Sequence, residues 1–140
     1  YTSNRAADRR YAWDRTRKCL DITRAIGCRA VVLWLAREGS YTRESKDARL
    51  AYRRLLETVD AILAYDPKVE VWIEPKPNEP TDMAYVPTAR HAIALAYASH
   101  DHRRVKAVIE TIDVEPLVVP TRGGASGGSV VAAGATVGVA

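Results

Sequence analysis

The sequence predicts an α/β protein: a sector of parallel strands with helices packed over them. Two observations carry this. Short, continuous apolar runs rich in β-branched and aromatic residues alternate with segments of helical period. The strand-to-strand interval is also nearly constant, 40 residues from Trp34 to Glu74 and 36 from Glu74 to Glu110. A repeat of that length leaves room for one crossover helix between parallel strands.

Taken in order, Ala12, Thr16, Cys19, Leu20, Thr23 and Ile26 recur at helical spacing, and Gly27 stands where a helix ends on glycine. Ala30 to Leu35 is an apolar run expected to form a strand buried on both faces. A polar loop, Arg37-Glu38-Gly39-Ser40, follows. Ala48, Tyr52, Leu55, Val59, Ile62 and Leu63 mark a second amphipathic helix, stopped at Asp66-Pro67. Val69 to Ile73 is the next strand, and the prolines at 75, 77 and 80 forbid its continuation. Pro87 is placed as the first residue of a third helix, with Ala92, Leu95, Ala96 and Ser99 on one side. Val105 to Glu110 is the third strand.

Composition narrows the function classes. Of 140 residues, 47% are hydrophobic and 27% charged, the balance of a globular protein large enough to bury a core. No apolar run approaches the ~18 residues of a membrane span, and the N-terminus lacks a secretory h-region. A cytoplasmic protein without membrane partners is expected. Cys19 and Cys28 are too few for a disulfide framework and wrongly spaced for zinc, so two reduced, packed thiols are expected. The net charge of +4 comes from interleaved signs, as in Asp14 and Lys18 on one helix face, which argues against nucleic acid as a partner. Residues 111–140 hold only three charged side chains and a Gly-Ser run, so they are expected to form a low-complexity tail beyond a 1–110 domain.

In parallel α/β folds, chemistry collects at the carboxyl ends of strands. Here those ends carry Trp34, then Glu74 with Lys76, then Glu110. Carboxylates without cysteine or a placed histidine form a hard-oxygen site, suited to Mg²⁺ or Mn²⁺. A lysine beside such a site could polarise a substrate oxygen. The plainer reading of Glu74 and Lys76 is a surface ion pair, and of the two strand tryptophans, core. His91, His100 and His102 are expected to be solvated or at helix ends.

Ile73-Glu-Pro-Lys-Pro-Asn-Glu-Pro80 resembles the strand-end motif of xylose isomerases and related sugar isomerases. Leu33-Trp34 with Arg37-Glu38-Gly39, Glu44-Ser-Lys-Asp47, and Tyr85-Val-Pro-Thr88 with His91-Ala92 resemble further blocks of that family, in the same order. The resemblance implies an eight-stranded (β/α) barrel, of which this chain holds the third helix to the sixth strand. It implies an aldose–ketose isomerase acting on a monosaccharide by a metal-assisted hydride shift between C2 and C1. Carried over by position, Glu74 and Glu110 are metal ligands, Lys76 hydrogen-bonds the sugar O1, and Trp34 walls the sugar pocket. Asn78 and Glu79 support them. The family has a histidine three residues after the bridging glutamate, whereas this chain has Asp113. The two-metal site is therefore expected to be incomplete, and the chain to be an inactive fragment, out of frame from about Thr111. The family is homo-oligomeric, and a partial sheet with open edges is expected to self-associate. The alternatives are an L-rhamnose isomerase-type enzyme and a non-catalytic module with a basic face.

Overall fold

A computed structural model describes residues 1–35, 37–40, 45–76 and 83–109. The expected N-terminal helix forms as α1 (Ala6–Ala25). It ends as the sequence requires: Gly27 takes φ +74°, which L side chains rarely adopt. The Cys28 N–H donates to Thr23 O (2.9 Å) and the Gly27 N–H to Arg24 O (3.2 Å), so two otherwise orphaned carbonyls are satisfied. The chain then enters β1 (Ala30–Trp34).

α2 (Ala48–Tyr65) starts at Asp47, whose carboxylate accepts the Leu50 N–H at 3.0 Å. Its apolar stripe is buried as its period requires, with Leu55, Val59 and Ile62 fully enclosed. Beyond its C-terminus the chain turns through Asp66-Pro67 into β3 (Glu70–Glu74). Arg104 secures this turn, its guanidinium donating to the carbonyls of Leu63, Asp66 and Val69 at 3.0–3.1 Å. α3 (Ala89–Ala98) buries Ala92, Leu95 and Ala96, with Ser99 beneath its end. A short 3₁₀ turn (His102–Arg104) leads into β5 (Val105–Ala107).

The three long-range strands form one parallel sheet in the order β1-β3-β5. The register pairs Trp34 with Glu74, Leu33 with Ile73, and Ile73 with Ala107. The core lies between this sheet and the helices, around Leu33, Leu55, Ile62, Val71, Ile73 and Leu95. Among the described residues no helix is long and apolar enough to cross a membrane.

Four details differ from the sequence expectation. The strands are not buried on both faces: β3 alternates, with Val71 and Ile73 enclosed while Glu70, Trp72 and Glu74 are half-exposed, and in β1 only Leu33 is enclosed. One face packs on helices; the other is the face that a closed barrel turns inward, and among the described residues no helix packs over it. Gly39–Ser40 is not a loop but a two-residue strand, β2, paired antiparallel with β4 (Met83–Ala84). Its partner lies more than forty residues on, so no local pattern announces it. Pro87 precedes α3 rather than opening it, because Thr88 is the extended residue before the first turn. Cys28 is exposed rather than packed, whereas Cys19 is half-buried.

Candidate functional site

Trp34 and Glu74 end adjacent parallel strands and are partners in the register. Alternation puts both on the face away from the helices, since Leu33 and Ile73 between them point into the core. The indole of Trp34 stays 37% exposed, an aromatic surface beside a carboxylate at the sheet rim. Pro75 ends the ladder after Glu74, and Lys76 follows at the same rim, half-buried. The structure thus brings Trp34, Glu74 and Lys76 to one end of the sheet. Asn78, Glu79 and Glu110 lie outside the described residues, as does the segment 111–140.

The loop leaving Trp34 is built around Glu38. Its carboxylate is mostly buried, 15% exposed, and accepts the Thr2 N–H (2.8 Å), the Thr2 hydroxyl (2.5 Å) and the N-terminal ammonium of Tyr1. Burial alone would raise its pKa; the ammonium and the Thr2 donors outweigh it and hold Glu38 below the usual carboxylate range. Lys46 adds a second tie, donating to Gly39 O (2.8 Å) and to the Thr2 hydroxyl (3.1 Å). The Glu38 carbonyl also accepts the Tyr85 N–H at 3.0 Å. With the β2–β4 ladder, this joins the loop that follows Trp34 to the segment that follows Lys76. A cavity of about 190 Å³ opens beside Trp34, walled by Tyr11, Arg15, Arg37 and Glu38 among others. The sequence placed Glu38 in a motif without giving it this task, and Thr2 and Lys46 were not singled out as tie points. Their signal is tertiary: Thr2 and Glu38 are 36 residues apart.

At the opposite end of the same face sits a different arrangement. Glu70 accepts from Lys106 Nζ (2.8 Å) and from the Trp72 indole N–H (2.9 Å). Burial would raise the Glu70 pKa, but the Lys106 and Trp72 donors prevail and lower it. Both of its oxygens are used, so it is a structural tie between β3 and β5 rather than a free ligand. The histidines lie where the sequence put them. His91 is bonded to the Thr88 hydroxyl (2.8 Å), His100 to Asp60 (2.9 Å), and exposed His102 stacks on Tyr97.

The donor chemistry at the rim suits a hard divalent cation in kind, a carboxylate with no soft ligand beside it. Among the described residues no three His, Cys, Asp or Glu side chains gather as a metal cluster. Glu74 is therefore the one described carboxylate among those assigned as ligands by position.

Parallel strands joined by helices on one face, with an indole and a carboxylate over the other at the carboxyl ends, define a sector of a (β/α) barrel. The chain belongs to the xylose isomerase-like TIM barrel family, whose family model matches residues 1–114. That family includes sugar isomerases and other enzymes.

Proposed function

We propose that this chain carries the strand-four to strand-six part of an aldose–ketose isomerase site acting on a monosaccharide. The observation that supports it best is the in-register placement of Trp34 beside Glu74, with Lys76 at the same rim. Trp34 offers an apolar wall that excludes water from a sugar carbon on which hydride is transferred. Lys76 donates a hydrogen bond to the sugar O1 and stabilises negative charge there. Glu74, with Glu110, would hold Mg²⁺ or Mn²⁺, which when bound supplies Lewis-acid polarisation of the sugar oxygens. Asn78 and Glu79 would orient these groups. The knot at Glu38 fixes the loop between Trp34 and β2, and so keeps the rim in shape.

Thermal melting with and without MnCl₂ tests this reading. At ten times its dissociation constant, Mn²⁺ should stabilise the wild-type chain by about 1.4 kcal/mol. The gain should fall to about 0.4 kcal/mol or less in Glu74→Gln and persist in Glu70→Gln, which alters the same face at its other end. Equal stabilisation of all three proteins would refute the metal assignment.

A further inference from the structure

Below the rim, the face of the sheet away from the helices carries a second level of side chains. In β3, alternation puts Glu70, Trp72 and Glu74 on that face, spaced about 6.6 Å apart along the strand. The register sets Val32 and Lys106 on either side of Trp72, just as it sets Trp34 beside Glu74. Lys106 is the charged side chain at the Trp72 level. Its ammonium is drawn away from the rim, onto Glu70 Oε1 at 2.8 Å. The layer that these strands place directly beneath Trp34 and Glu74 is therefore Trp72 with Val32, and it is apolar.

The indole of Trp72 is held in one orientation. Its N–H donates to Glu70 Oε2 at 2.9 Å, and the Glu70 carboxylate is itself fixed across the ladder by Lys106 of β5. Aiming the N–H at Glu70 turns the polar edge of the ring toward the amino end of the strand. The apolar benzo edge is left toward the rim. A sugar hydroxyl directed at that edge would find neither donor nor acceptor on it, whereas a C–H edge would pack on it. An ion pair on an inward face costs desolvation, which is offset only when its remaining lone pairs are used, and here the indole N–H uses one.

We propose that Trp72 is the floor of the sugar site. The C–H edge of an open-chain aldose rests on its indole, while Trp34 walls the site and Glu74 and Lys76 serve the sugar oxygens. Glu70 and Lys106 are positioning residues that act through the indole. This rests on the reading of the rim as a sugar site, and deepens it by a contact residue that lies outside the strand-end motif Ile73–Pro80.

Fluorine NMR of the chain labelled with 5-fluorotryptophan tests the floor, because its three tryptophans, Trp13, Trp34 and Trp72, each give one resonance. Single Trp→Phe substitutions assign them. With Mg²⁺ present, xylitol should shift the Trp34 and Trp72 resonances along one saturable curve. Trp13, which packs edge-on against Tyr65 between α1 and α2, should not move. A shift at Trp34 without one at Trp72 would overturn the floor and leave the sugar reading standing. No shift at Trp34 would refute that reading and the floor with it, as would equal shifts at all three. Trp72→Phe removes the indole N–H but keeps an apolar ring. It should weaken xylitol binding several-fold, read at Trp34, while Mn²⁺ affinity stays within about twofold of wild type. Unchanged xylitol binding would overturn the contact, and parallel loss of Mn²⁺ binding would overturn it too, by showing that Trp72 only holds β3 in shape. Should Trp72→Phe fail to fold, the wild-type resonances alone decide.

Discussion

Glu38 keeps its charge where burial opposes it, and the donors around it explain why. A folded-state pKa below the unfolded value means that its stabilisation is present above about pH 4.3 and is lost as pH falls through the lower, folded value. Glu38→Gln, which leaves the surrounding donors poorly matched, should therefore cost about 1–3 kcal/mol at pH 7. The gap between variant and wild type should close on acidification. Urea denaturation from pH 7 down to pH 3 checks both statements; a gap independent of pH would show that the carboxylate charge contributes nothing. Asp47 and Asp66 also titrate low, held there first by the backbone N–H groups of Leu50 and Lys68, which is why the Gln variant is needed to isolate Glu38.

Among the elements, endings prove as informative as interiors. Gly27 has open space around its missing Cβ, so a side chain there meets no clash and the only cost is its left-handed backbone. Gly27→Ala should lower stability by about 1–2 kcal/mol, and Gly27→Asn by less. Leu55, fully enclosed between α2 and the sheet, should cost about 2–5 kcal/mol on truncation to Ala. Chemical denaturation of the three variants would rank them, and a harmless Leu55→Ala would mean that the core is misplaced. Helix period and strand composition made α1, α2, α3 and the parallel sheet legible, because each follows from contacts that repeat locally. β2 and β4 were not legible. Two residues carry no period, and their pairing depends on where distant loops arrive.

At the scale of the whole molecule, the same reasoning decides what of the site could be read. Trp34, Glu74 and Lys76 were legible because strand ends collect polar groups, and the sheet register then set Trp34 beside Glu74. The half-exposure of the face away from the helices was not, because continuous apolar runs such as Ala30 to Leu35 suggest burial on both sides. Among the described residues three parallel strands form the sheet, and a hydride shift requires an enclosed, water-free sugar. We expect the 140-residue chain to convert neither D-xylose nor L-rhamnose above a metal-free blank. Measurable ketose formation dependent on Mn²⁺ would contradict this expectation.

Mn²⁺ binding followed by electron paramagnetic resonance tests the central claim, that the end of β3 is a metal-holding rim, most directly. The free-ion signal should fall on titration into the wild-type chain and into Glu70→Gln. In Glu74→Gln, binding should weaken by roughly tenfold or more, as expected for loss of a coordinating carboxylate. Equal binding in Glu74→Gln and wild type would contradict the account.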